Sequence, residues 1–137
     1  MFKIVYTTLG NRSRHKKFQR REDCINFIAG NRFKYLGCSA FWTLDPDNML
    51  LELPELYDGL LRLYCGRNML TRLPKLPISL EILDCMCNLI IELPELSVNL
   101  KILKCCANAL TGTLVITEKM KEVNCHQNFF NWVSIAG

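Results

Sequence analysis

The feature that most constrains this chain is self-similarity at a fixed period. From Leu53 onward the sequence repeats every 20 residues without insertion or deletion. Leu53, Leu73 and Leu93 are each followed by proline, at Pro54, Pro74 and Pro94. Leu56, Leu76, Leu96 and Ile116 form the next column, then Leu60, Leu80, Leu100 and Met120, then Leu63, Leu83, Leu103 and Val123. Cys65, Cys85, Cys105 and Cys125 come two residues later, and Asn68, Asn88, Asn108 and Asn128 three further on. Leu70, Ile90, Leu110 and Phe130 close each unit, which reads LPxLxxxLxxLxCxxNxL. A unit this short cannot bury its own apolar set, so neighbouring units must stack and bury it together.

Each column has a physical reading. Residues 62–66, 82–86, 102–106 and 122–126 alternate as strands do, with the Leu and Cys columns inward. Stacked units place these strands side by side, about 4.8 Å apart, as one parallel sheet. The Asn column is not held by hydrophobicity. Its amide suits backbone groups left unpaired where the chain leaves the strand, and every unit repeats that need. The proline segments lie on the opposite side, where no ladder bonds are needed and an extended, polyproline-like path closes the coil.

The unit resembles the leucine-rich repeat, whose signature is LxxLxLxxNxL, over about residues 50 to 132. This chain departs from that pattern in placing Cys where the third Leu stands. The short period and the segment Leu73-Pro74-Lys75-Leu76-Pro77 look most like the repeats of bacterial effectors, and related short repeats occur in proteins of large DNA viruses. The resemblance implies a mostly β solenoid of the α/β class, a right-handed superhelix with a concave parallel sheet. It also implies a pathogen protein that modulates host signalling from the host cytoplasm.

The expected organisation is a basic N-terminal cap of one strand and one helix over 1–32, a degenerate first repeat over 33–52, three regular repeats over 53–112, and a degenerate repeat and cap over 113–137. Residues 2–7 read as the strand and residues 16–29 as the helix, with Phe18, Ile25 and Ile28 on one face and Gly30 as its stop. In the degenerate first repeat Phe33, Leu36, Ala40, Asn48 and Leu50 keep the register, while Thr43 and Asp45 break the strand columns. The tail Phe129-Phe130-Asn131-Trp132 is expected to fold over the last leucine layer or to pack on another chain.

Composition narrows the function. No apolar run approaches the roughly 18 residues that would span a bilayer, and the start MFKIVYTTLGNRSRHKK lacks a signal-peptide pattern. Eight cysteines in that context suggest reduced thiols and a cytoplasmic location. Residues 1–32 carry eight basic side chains against two acidic ones, a net +6, which leaves −2 for the remainder of a +4 chain. The patch Arg12, Arg14, Lys16, Lys17, Arg20 and Arg21 is a solvated face or a binding site for nucleic acid or an acidic surface.

Motifs that suggest chemistry mostly dissolve in the repeat. Cys85 and Cys105 belong to the inward column, so Cys85-x-Cys87 and Cys105-Cys106 do not read as metal pairs, and neither a metal nor a cofactor is expected. Cys106 and His126 share an outward column on neighbouring strands, the one arrangement that resembles a thiolate–imidazole pair. No third group is placed to orient the His, and the chain reads as non-catalytic. The outward columns are the better candidates for a partner site. They hold Arg62, Ile82, Ile102 and Glu122; then Tyr64, Asp84, Lys104 and Asn124; then Gly66, Met86, Cys106 and His126, with Arg67 alongside. Apolar Ile82, Ile102 and Met86 among charged neighbours have the make-up of a protein-binding face, and Tyr64 and Arg67 are residue types that dominate binding energy. Asp84 and Lys104 are expected to pair. A protein partner at the concave sheet is therefore expected. The alternatives are nucleic-acid or acidic-surface binding by the basic segment, and a homodimer through the open end strand and tail.

Overall fold

The computed structural model describes residues 1–136, with every side chain among them except that of Trp132. In chain order it contains β1 (Phe2–Thr7), β2 (Ser13–Phe18), α1 (Arg21–Ala29), β3 (Tyr35–Gly37), a 3₁₀ turn (Pro46–Asn48), β4 (Arg62–Tyr64), β5 (Ile82–Asp84), β6 (Ile102–Lys104), β7 (Thr111–Thr117), β8 (Glu122–Asn124) and β9 (Phe129–Ala136). One sheet has the order β2-β1-β3-β4-β5-β6-β8, and β7 pairs with β9 in a second. The run from β3 to β8 is parallel and in register, Leu36, Leu63, Leu83, Leu103 and Val123 lying directly side by side. The molecule is thus mostly β, a solenoid of about four turns.

The inward columns behave as their chemistry requires. Leu63, Leu83, Leu103, Cys65, Cys85 and Cys105 are fully buried, with Leu60, Leu80 and Leu100 behind them. Each such leucine contributes about 1.5–3 kcal/mol from burial. Pairing runs past the three-residue strands. The N–H groups of Cys65, Cys85 and Cys105 donate to the carbonyls of Asp84, Lys104 and Asn124, each at 2.8 Å. The chain then turns out through Arg67, Cys87, Ala107 and Gln127, all left-handed with φ of 54 to 56°. None is glycine, so each carries the steric cost of a Cβ in that region.

The asparagines that follow hold this turn. Asn88 Nδ2 donates to Cys85 O at 3.1 Å within its own rung and to Cys65 O at 3.1 Å in the rung before, while its Oδ1 accepts from Leu70 N at 3.0 Å. Asn68, Asn108 and Asn128 repeat the arrangement, reaching Cys38 O, Cys85 O and Cys105 O respectively and accepting from Leu50, Ile90 and Leu110 N. No buried side-chain nitrogen or oxygen lacks a partner among the described residues.

The first rung departs from expectation. Its strand is β3 at 35–37, not the Thr43–Asp45 region, and Leu36 and Cys38 occupy the places of Leu63 and Cys65. The offset to the next rung is 27 residues, and the seven extra residues lie in a loop after Ala40 that contains the 3₁₀ turn. Register returns at Leu50, whose N–H meets Asn68 Oδ1 at 2.8 Å. Asn48 stands outside the ladder and donates to Asp45 Oδ2. Thr43 and Asp45 are not failed strand positions; Asp45 Oδ1 accepts from Asp47 N at 3.0 Å and caps the turn.

The N-terminal segment differs too. Residues 13–18, expected as helix, are β2, folded against β1 as an antiparallel hairpin. Asn11, at φ 65°, and the bond from Thr8 N to Arg12 O close its turn. Pairing with β1 satisfies a row of backbone groups that would otherwise face water. The helix is therefore confined to Arg21–Ala29, stopping before Gly30 as expected. It packs on the hairpin, Cys24 and Ile28 joining the core and Tyr6, Phe18, Phe27 and Phe33 forming an aromatic cluster with ring centroids 5.2–5.7 Å apart. The hairpin lengthens the sheet through β1–β3 pairing.

At the other end β9 runs parallel to β7, with a register shift between Gly112 and Thr113. Residues 129–136 therefore continue the stack instead of folding over the last leucine layer, with Phe130 against the core and Phe129 exposed. The part of the tail expectation that concerns the Trp132 side chain lies outside the described residues.

Two substitutions test the stack. Leu83→Ala is expected to cost about 2–5 kcal/mol, and Asn88→Ala about 1–3 kcal/mol because buried carbonyls lose their donor. Urea unfolding followed by circular dichroism reads both; an unchanged midpoint in Asn88→Ala would show that the ladder carries no stability.

Candidate functional site

Strand pairing arranges the outward side chains in rows across the sheet, because cross-strand partners share a face. One row runs Ser13, Thr7, Tyr35, Arg62, Ile82, Ile102, Glu122. The next runs His15, Val5, Gly37, Tyr64, Asp84, Lys104, Asn124. A third begins with Lys17 and Lys3 and passes Gly66 toward Met86, Cys106 and His126 beyond the strand ends. The two candidate features of the sequence, outward columns and basic segment, thus meet on one continuous face.

The expected details change at several points. Ile82, Ile102 and Met86 are half-buried by their neighbours, not fully exposed. Arg67 sits in the left-handed turn and is half-buried. Gly66 and Cys106 are buried, whereas His126 is exposed. Asp84 and Lys104 are side by side, yet the Lys104 ammonium leans the other way, 3.7 Å from Glu122 Oε1. Asp84 Oδ1 instead accepts from Met86 N at 3.3 Å. Burial pushes the Asp84 carboxyl above its ordinary 3.8, against the smaller opposing effects of the Met86 bond and Lys104. The Lys104–Glu122 pair is partly exposed and worth about 1 kcal/mol or less.

Cys106 does not have the surroundings of an activated thiol. It is 8% exposed, and burial together with the nearby Cys87, Asp84 and Cys125 pushes its thiol up, the opposite of what a nucleophile needs. His126 is not among the groups that shift it. In the inward column burial holds Cys65 and Cys85 far above the ordinary thiol range and Cys105 at about 12. All eight cysteines carry free thiols, and Cys87 is exposed. Among the described residues no group of three or more His, Cys, Asp or Glu is placed to hold a metal.

The basic segment divides between faces. Lys17 and His15 project with Lys3 and Val5 on the concave side, whereas Arg14 and Lys16 share the side of Ile4 and Tyr6. Lys16 Nζ there lies 4.9 Å from the Phe27 ring. Arg20 pairs with Glu22 at 2.8 Å, and Arg21 clamps the loop after Ala40 by donating to Met49 O at 3.0 Å. Arg12 stands in the hairpin turn. A lysine-rich edge strand also resists pairing with other chains, so part of the charge serves the fold.

Sequence reasoning missed a group of aromatic residues around the first rung. Tyr35, Phe41, Trp42 and Tyr64 surround a cavity of about 530 Å³ on the concave face. Its signal was the Leu36-x-Cys38 spacing, which matches Leu63-x-Cys65 and places Tyr35 on the outward face. Arg62 stacks over Tyr35, its guanidinium 4.3 Å from the ring centroid. No helix among the described residues is long and apolar enough to cross a membrane. No protein-family model matches the chain, and no curated protein matches it significantly.

Two measurements follow from these environments. Iodoacetamide at neutral pH is expected to modify Cys87 first and Cys106 about tenfold more slowly, with Cys38, Cys65 and Cys85 reacting only on unfolding; faster labelling of Cys106 would reverse this assignment. Because the folded state raises the Asp84 pKa, stability due to this group falls as pH rises from 3.8 through the folded value. Asp84→Asn is therefore expected to raise Tm at pH 7, with the gain disappearing at pH 3.

Proposed function

We propose that this chain is a leucine-rich-repeat module that binds a partner protein through its concave sheet and catalyses no reaction. The repeat LPxLxxxLxxLxCxxNxL resembles that family's signature, and the aligned Leu and Asn columns support the assignment. The observation that carries the functional reading is the continuous outward face of seven strands. Its half-buried Ile82, Ile102 and Met86 sit among Arg62, Asp84, Lys104 and Glu122, a mixture of apolar and charged groups suited to a protein surface. Such a module acts by occupying a surface of its partner, blocking or recruiting it. Resemblance of the short repeats to those of bacterial effectors and large DNA viruses extends the proposal to a pathogen protein in host cytoplasm, a reducing compartment that suits eight free thiols.

A second reading is nucleic-acid or acidic-surface binding by the N-terminal segment, favoured by Lys3, His15 and Lys17 sharing the concave face. It predicts affinity that falls steeply with salt and is lost when Arg12, Arg14, Lys16 and Lys17 become Glu. A third is self-association along β9, where Phe129, Val133 and Ile135 are exposed; light scattering distinguishes monomer from dimer.

Proximity labelling in candidate host cells, compared between the natural chain and Ile82→Asp or Tyr64→Ala, tests the main reading. Both variants are expected to remain folded by circular dichroism and to lose partner labelling by about tenfold, the effect of removing a hot-spot side chain worth more than about 1 kcal/mol. Labelling unchanged in both variants would overturn it.

A further inference from the structure

The cavity beside the first rung has a construction that the rest of the sheet lacks. Gly37 lies between Val5 and Tyr64 in its row, so a column that carries side chains elsewhere is empty there. A Cβ at Gly37 would meet Val5 O at 3.2 Å, and one at Gly66 would meet the Phe41 ring at 3.1 Å. These two glycines let Val5, Phe41 and Trp42 close in as walls. Val5 and Phe41 each remain 49% exposed and Trp42 43%, so their apolar surfaces are uncovered. An opening of about 530 Å³ is within the range of small-ligand sites and accommodates one bulky side chain with its flanking backbone.

The charge beside it is of one sign. Lys3 lines the cavity, and Lys17 lies directly opposite Lys3 across the hairpin. Among the described residues no acidic side chain lines the cavity. Asp84, the carboxylate nearest in the row, accepts a bond from Met86 N. Complementarity thus calls for an anionic chain with an apolar anchor.

We infer that this cavity receives a bulky apolar side chain, preferably aromatic, from an acidic segment of the partner protein, whose flanking carboxylates meet Lys3 and Lys17. The inference rests on the concave-face reading and names the partner's chemistry there. A single-stranded nucleic acid fits less well. Its bases stack one after another on rings spread along a cationic path. Here the rings enclose one cavity, and the rungs beyond it carry Asp84 and Glu122.

The test titrates the full chain at low and high salt with three labelled probes: a short Glu/Asp peptide with a central Trp, the same peptide with a central Ala, and a short single-stranded oligouridylate. The Trp peptide is expected to bind, to weaken with salt, and to shift the Gly37 and Gly66 amide resonances. The Ala peptide is expected to bind at least tenfold more weakly. Trp42→Ala, Val5→Glu, and Lys3→Glu combined with Lys17→Glu are each expected to weaken the Trp peptide at least tenfold, while Ile82→Asp leaves it unchanged. Equal affinity for the Trp and Ala peptides, absence of peptide binding, or binding of the oligouridylate alone would overturn the inference. Partner labelling lost in Ile82→Asp but kept in Trp42→Ala would also overturn it, while leaving the concave-face reading intact.

Discussion

The asparagine ladder is the interaction on which the rest of the structure depends. A chain that leaves a three-residue strand through a left-handed turn strands its carbonyls in the interior. One amide per rung answers this, donating to its own rung and the one before, and accepting from the backbone N–H that leads away. The same side chain therefore shapes the turn and ties adjacent rungs. Serine or aspartate could not do both, because the first offers one donor and the ionised second offers none. The cysteine column follows from this arrangement. Just before the turn the interior needs a small side chain, and cysteine is a small hydrophobe whose thiol stays protonated when buried.

Regular rungs produce a regular face, and the interest of this face lies where regularity ends. Between the hairpin and β4 the sheet changes from antiparallel to parallel pairing, and the first rung is seven residues longer than the others. The added loop delivers Phe41 and Trp42 over Gly66 and Gly37. The hairpin brings Lys3 and Lys17 to the same place. Farther along, Lys104 and Glu122 pair and the isoleucines are half-covered by their neighbours. One face thus has two regions, an aromatic and basic end and a mixed, flatter run of rungs.

The interior was legible in the sequence because it is periodic. Leu63, Leu83, Leu103 and their cysteines could be assigned inward, and Asn88 given a backbone role, from one unit read four times. Single-residue readings failed where a neighbour could not be inferred. Lys104 had two carboxylates within reach, Asp84 and Glu122, and only side-chain placement chose between them. Cys106 was outward by alternation, yet the left-handed turn that follows leaves it buried. The basic run read as one patch, but strand pairing sends Lys17 to one face and Lys16 to the other.

The sequence by itself determined the length of the rung, the inside and outside of each column, and the ladder that binds the columns, since all three follow from chemistry repeated every 20 residues. Tertiary structure alone decided where the first strand lies, that residues 13–18 form a hairpin partner, and that the tail adds another layer. Those outcomes depend on hydrogen bonds between segments far apart in the chain. A strand's identity there is set by the neighbour that satisfies its backbone, which no local pattern records.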